Sequence, residues 1–450
     1  MELNQPETAA VSGQMIAPQT TPVQTNCAPF TASVSEKVAA FVMYALAYGY
    51  IRMCGELTYT SLTLPAGILL TLFTLGYVAL AEYLHRSTPR PKESWIWLGC
   101  MAAMLCSVLF ERGRAWGSRF FPMLFLHIFA VWWTLSRSDT LLESESGHLL
   151  PLDALDGFIA FPFKHFLLRV RTVGSTLSHL RSERKRGKPD AETVIWSLVM
   201  SAAALGLLML AANLLISADS GFAEMLDGIV GLFRFELDID ATEFLLRLLL
   251  SLPVGAYLYG LLDGTLREDK GALRKRASAV TEQMEALRGV PEQVWLTLLT
   301  LFCLLYALFF VVQGRYLFGA FSRTLPEGFV VAEYARQGFF ELCKVMGVNF
   351  ALLWLVTRSS KVEVRQQAAV RALCLALLAE SFLLAVVAFS KLALYIDCFG
   401  FTPKRLQSTW LVCVLAFGCG CAAYSLLCGK KTFRLWMVFG AVTLSLLCLY

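Results

Sequence analysis

The sequence predicts an all-α protein, a polytopic transmembrane bundle of about eleven spans, and three observations predict it. Hydrophobic residues make up 57% and charged residues 16% of the 450 positions, against roughly 45–50% and about 25% in soluble globular domains. The apolar residues gather in stretches of about 17–26, the length that crosses a hydrocarbon core of about 30 Å. Aromatic side chains such as Trp95, Trp97, Trp132, Trp133, Trp410 and Tyr450 stand at the ends of those stretches, where an amphipathic ring suits the membrane interface.

The chain divides on this pattern. Residues 1–34 are rich in Pro, Thr, Gln and Ala, have no basic region running into an apolar one, and read as a disordered tail and not a secretory signal. A first membrane segment, 35–136, holds spans at 38–54, 62–82, 95–111 and 118–136. A basic loop covers 137–192. The remainder, 193–450, reads as a seven-span domain with spans at 193–217, 241–262, 293–318, 338–357, 367–392, 408–428 and 432–450.

Lys and Arg set the expected orientation. With the N-terminus inside, the cytoplasmic connections carry 24 basic residues and the outer ones 8. Basic residues are retained on the cytoplasmic side, so the N-terminus is expected inside and the C-terminus outside. Arg112, Arg114 and Arg119 run against the rule.

Two cytoplasmic connections carry helical patterns. From Phe163, the residues Phe166, Leu167, Val170, Val173, Leu177 and Leu180 share one face, and Lys164, His165, Arg171 and His179 the other. The segment ends on Arg181, Arg184, Lys185, Arg186 and Lys188. Such a helix lies on a bilayer and attracts anionic lipid headgroups. The second, over 266–289, puts Leu273, Val280, Met284 and Leu287 on one face and is expected to pack on its own bundle. On the outer side, 218–240 is acidic, and a solvated surface explains it.

Thirteen cysteines fall mostly inside apolar stretches, where Cys is a small hydrophobe. No CxxC pair occurs, and Cys419 and Cys421 point apart on a helix. No metal, cofactor or nucleic-acid partner is expected.

Ionisable residues inside spans are costly, at about 2.5–3.5 kcal/mol or more near the bilayer centre, and therefore informative. Glu380 is the deepest and Arg247 lies a third of the way into its span. Glu341 and Lys344 are spaced to pair with each other. His127, Asn213 and Asn349 suit hydrogen bonds between helices. Around the outer ends of four spans, polar residues converge: Ser217 and Asp219; Gln313, Arg315 and Tyr316; Glu333, Tyr334, Arg336 and Glu341; and Lys391, Tyr395, Asp397, Lys404 and Arg405. The mixture fits either a rigid lid of ion pairs, with Asp397 tied to Arg405, or a pocket for a small anionic ligand held by arginine forks.

At these residues the chain resembles a family of bacterial multi-pass membrane proteins known as a domain of unknown function. The resemblance rests on Gln313, the run Arg315-Tyr-Leu-Phe-Gly319, the run Ala332-Glu-Tyr-Ala-Arg336, Gly338-Phe339 and Glu341-Leu342. It continues through Ser390, Leu394-Tyr395, Asp397, Gly400, Thr402 and Arg405, and through Ser217-Ala-Asp219 with Phe222. It covers roughly 195–450 and departs at Lys391 and Phe399, the latter where a tyrosine is expected. The resemblance implies a bacterial plasma (inner) membrane location and lends no activity. Ligand binding or transport through the outward-facing cluster is the leading reading. A regulatory or assembly role for the cytoplasmic helices comes second. An enzyme acting on an envelope or lipid-linked substrate comes third, because no nucleophile or metal site marks one.

Overall fold

The computed structural model describes residues 32–57, 64–110, 120–184, 241–322 and 339–449, without the side chains of 56–57, 64–65, 177–184, 241–242 and 313–322. Among the described residues the secondary structure is helical, joined only by an isolated bridge between Val290 and Ser360. The helices are α1 (Val34–Leu57), α2 (Leu64–Leu84), α3 (Lys92–Leu109), α4 (Phe120–Ser138), α5 (Leu150–Leu155), α6 (Phe161–Lys164) and α7 (Leu168–Arg184), with a π-helical turn at Asp156–Ala160. They continue as α8 (Ala241–Arg267), α9 (Lys270–Ala286), α10 (Glu292–Ser322), α11 (Phe339–Ser359), α12 (Ala368–Phe399), α13 (Pro403–Cys428) and α14 (Phe433–Leu449).

Ten of these helices overlie ten of the eleven apolar stretches, and the eleventh stretch, 193–217, lies outside the described residues. Eight helices are long and apolar enough to cross a membrane. The other two are α3, which opens on Lys92 and Glu93, and α14, which has 17 residues. Wide apolar faces point outward, as on α10 at Leu301, Leu304, Leu305, Leu308 and Val311. Only a hydrocarbon surrounding makes such faces inexpensive.

Local sequence explains the boundaries. Before α1, Ser33 and Glu36 form a reciprocal cap: the Ser33 amide donates to Glu36 Oε2 at 2.7 Å and the Glu36 amide to Ser33 Oγ at 3.3 Å. Asp269 caps α9 by accepting from the Gly271 amide. The connection expected over 393–407 shrinks to three residues, because α12 runs on to Phe399 and α13 begins at Pro403. Gly400 stops α12 with φ +75°, a conformation that suits glycine, and Pro403 starts α13 where its missing N–H costs nothing. Tyr395, Asp397 and Arg405 are therefore helical residues and not loop residues.

Helix contacts form a chain: α2 on α1, α1 on α8, α3 on α4, α14 on α3, α13 on α14, α12 on α13, with α10 and α11 on α12. An extended apolar core lies among α10–α13, around Leu299, Met346, Val356, Val370, Cys374, Leu384 and Val412. The last helix thus reaches back to the third, where Ser107 Oγ donates to the Cys448 carbonyl at 2.6 Å.

Amphipathic α7 turns its apolar face outward. Leu167 and Val170 are 61% and 62% exposed, whereas Leu168, Arg169, Thr172 and Thr176 are buried against α1 and α8. Helix α9 packs through Leu273 and Ala277, with Val280 and Met284 half-buried and Leu287 exposed.

Candidate functional site

The outer cluster expected from the sequence is brought together only in part. Glu333, Tyr334 and Arg336 lie outside the described residues, as do Ser217, Asp219 and Asn213. Arg315 and Tyr316 sit in the last third of α10, and their side chains lie outside what is described. Glu341 and Lys344 share the first turns of α11, both exposed, and do not form the expected pair. Their neighbours on that helix are apolar, so each side chain extends outward.

The corner between α12 and α13 is well defined. Arg405 was expected to tie to Asp397. It instead lies over the Tyr395 ring, 4.1 Å from its centroid, and over Phe399 at 5.8 Å. Its Nη1 donates to the Gly400 carbonyl. The short Gly400–Thr402 turn causes this by laying the first turn of α13 across the last turn of α12. Lys404 beside it is exposed. Asp397 is exposed and engaged elsewhere. Lys391 is 0% exposed, about two and a half turns before the corner.

Deeper in the same unit runs a chain of neutral hydrogen bonds. Tyr306 of α10 donates to Asn349 Oδ1 of α11 at 2.7 Å, Asn349 Nδ2 donates to Ser381 Oγ of α12 at 2.8 Å, and Ser381 donates to the Leu377 carbonyl. Glu380 adjoins this chain beside the thiol of Cys303, and its Oε2 has no partner. Glu380 and Lys391 are eleven residues apart, which is three turns and about 16 Å along one helix face. Arg247 pairs with Glu243 on its own helix. His127 bridges to Tyr50 at 2.8 Å, a structural tie between α4 and α1.

Sequence reasoning missed the opposite end, where the charges are paired. Arg137 is 2% exposed and binds both oxygens of Glu82 at 3.0 Å, the His85 carbonyl at 2.9 Å and the Thr88 hydroxyl at 3.1 Å. Arg267 meets Glu36 at 2.7 Å and Asp263 at 3.0 Å. The loop 139–156 is the hub. Asp139 takes Arg274 at 3.2 Å, Asp156 takes Arg276 at 2.8 Å, Glu143 takes Lys431 at 3.5 Å, and Glu145 takes Arg434. Arg434 also reaches buried Glu93 at 3.1 Å, and Ser146 and Trp97 donate to the same carboxylate. Glu268 is held below the usual carboxylate range: burial opposes this, but hydrogen bonds from Lys164 and His165 outweigh it. The signal was present, since the acids of 139–156 face the bases of 270–276 and 431–434 on the side where both are expected.

Two buried groups at this end stand apart. Asp153, 1% exposed, accepts from the Leu142 amide at 2.9 Å and leaves Oδ2 without a partner. Burial pushes its carboxyl up to about 7, with Asp156, Glu143 and Glu93 adding to the rise. Arg169 is 2% exposed, lies over the Tyr44 ring, and leaves Nε and Nη2 unpartnered. Burial lowers it to about 10. Gly255 makes room for it: a Cβ there would collide with the guanidinium.

Among the described residues, no group of three or more His, Cys, Asp or Glu could hold a metal ion, and the twelve described cysteines are free. The helices and their outward apolar faces define a multi-pass membrane protein. The chain belongs to the family described as "Domain of unknown function (DUF4153)", whose model matches residues 99–450. The match begins within α3 and so extends well before the segment that carried the resemblance, which accords with α3 being the partner of α14. Comparison with curated proteins and with solved structures returns no match.

Proposed function

We propose that this is a bacterial plasma-membrane protein, with its N-terminus in the cytoplasm and its C-terminus outside, that binds a small anionic or zwitterionic ligand from the outer face for transport. The observation that carries the reading is the contact set of Arg405: among the described residues it meets two aromatic rings and a carbonyl, with no carboxylate. Its charge and that of exposed Lys404 stay available at the α12–α13 corner. Buried Lys391 and the half-partnered Glu380 continue the polar face of α12 inward. Orientation follows from the threefold bias of basic residues, and the bacterial location from the resemblance.

Cys398, exposed at the end of α12, allows one experiment to address both points. In a variant whose only cysteine is Cys398, a membrane-impermeant maleimide added to whole cells should label it, and an anionic ligand should slow the labelling. Arg405→Lys keeps the charge but loses the planar fork and should abolish that protection. Labelling only after permeabilisation overturns the orientation. Labelling that no anionic or zwitterionic compound slows overturns the binding reading.

A further inference from the structure

Between the outer halves of α13 and α14 runs a cavity of about 410 Å³. That volume falls in the range of small-molecule sites, roughly 300–1,000 Å³, which are likewise mostly apolar with a few placed polar groups. Its walls are Leu406 and Trp410 on one side and Phe439 and Leu446 on the other, with Phe401 at the mouth. Its polar feature is a fixed one: Trp410 Nε1 donates to Thr443 Oγ1 at 2.9 Å, so the indole is locked as a wall and offers no donor. Phe401 and Leu406 flank Lys404 and Arg405 in sequence, so the groove ends within about one turn of two cations that meet no carboxylate among the described residues. It also ends beside the N-terminus of α13, whose cap residue Thr402 makes no side-chain bond. That N-terminus adds the positive end of a helix dipole.

We propose that the ligand is an amphiphile, an anionic headgroup on an acyl or isoprenoid tail, with the head at Lys404 and Arg405 and the tail in the α13–α14 groove. This inference rests on the binding site proposed above and names the class of molecule it takes. A soluble anion would leave the groove unfilled. A neutral lipid would fill the groove and leave both cations without a counter-ion. Only a molecule with both parts uses both surfaces, and a groove open to the surrounding hydrocarbon admits a tail laterally, without passage through water.

The test uses the full chain in uncharged detergent and follows its thermal unfolding with three probes: phosphatidylglycerol, phosphatidylcholine with the same acyl chains, and inorganic phosphate. The wild type should be stabilised by phosphatidylglycerol well beyond either of the others. Leu446→Trp, at an exposed rim position, should weaken the apparent affinity for phosphatidylglycerol about tenfold, the effect of displacing two methylenes, and leave the response to phosphate unchanged. If the tryptophan variant does not fold, Leu446→Ala removes a wall of the groove and should weaken binding in the same direction. Equal stabilisation by the two lipids overturns the anionic head. Equal stabilisation by phosphate and phosphatidylglycerol, untouched by either variant, overturns the tail site and leaves the anion site standing. No response to any of the three overturns both readings.

Discussion

Where Arg137, Arg267, Arg276 and Arg434 lie, each guanidinium meets a carboxylate carried by another element of the fold. Where α12 turns into α13, Lys404 and Arg405 meet none among the described residues, and the arginine rests on aromatic rings instead. The two ends separate charge used for assembly from charge left for other use. A buried ion pair stabilises little in net terms, but its geometry fixes which element sits beside which. At the paired end, the hub of 139–156 joins α3 and α4 to α9 and to the α13–α14 turn, segments more than a hundred residues away. An unpaired cation at the opposite corner fixes nothing of that kind.

The sharpest way to break this comparison is to delete one arginine at each end. Arg137→Ala removes the buried partner of Glu82, which keeps only the half-exposed Arg90 at 2.9 Å, and strands the His85 carbonyl inside the bundle. The loss should therefore lie toward the lower end of the about 3–5 kcal/mol that breaking a buried pair from one side costs. Arg405→Ala loses a half-exposed cation–π contact, worth about 0.5–1 kcal/mol. Unfolding in detergent should therefore show a severe loss for the first and a small one for the second. Equal losses would mean that both ends are built for assembly.

A pH series tests the paired end differently. Asp153 sits at about 7 when folded and at 3.8 in its ordinary state, so the folded chain holds a proton that the unfolded chain releases. Its contribution to stability is full below about pH 4, falls as pH rises from about 4 to about 7, and is constant above. Asp153→Asn should flatten that fall in melting temperature. An unchanged slope would place the responsible group elsewhere in the cluster.

Apolar stretches of membrane length reveal themselves because no soluble core needs twenty consecutive apolar residues, and this made ten helices legible. Their meeting points were less so. Arg405 and Asp397 are complementary in charge and eight residues apart, and a pair was the natural expectation. The outcome was decided by Gly400, whose positive φ keeps the turn to three residues and swings Arg405 over Tyr395. Helix α7 shows the same limit. Its apolar periodicity was plain, but periodicity does not say whether the opposite face meets water or protein. Arg169, Thr172 and Thr176 turned out to be buried, with the Arg169 guanidinium set against Gly255. The paired end was missed because its partners lie far apart in sequence, and charge alone does not choose among many possible pairings.

Between the two ends lies the chain of neutral hydrogen bonds, and it gives the most discriminating test. Asn349→Leu removes the acceptor of the Tyr306 hydroxyl and the donor to Ser381. Ser381 keeps its bond to the Leu377 carbonyl, so only the tyrosine hydroxyl is left buried and unmet. Interhelical hydrogen bonds in membranes average about 0.6 kcal/mol and reach about 1.7, and an orphaned buried hydroxyl costs about 1–3 kcal/mol. A loss of about 1–2 kcal/mol is therefore expected, below that of Arg137→Ala and above that of Arg405→Ala. Tyr306→Phe removes the orphan itself. In the double variant the tyrosine hydroxyl no longer needs an acceptor, so the two losses should fall short of their sum. Strict additivity would mean that Tyr306 and Asn349 act independently. Glu380, one residue from Ser381, would then adjoin two separate contacts and not one polar relay across α10, α11 and α12.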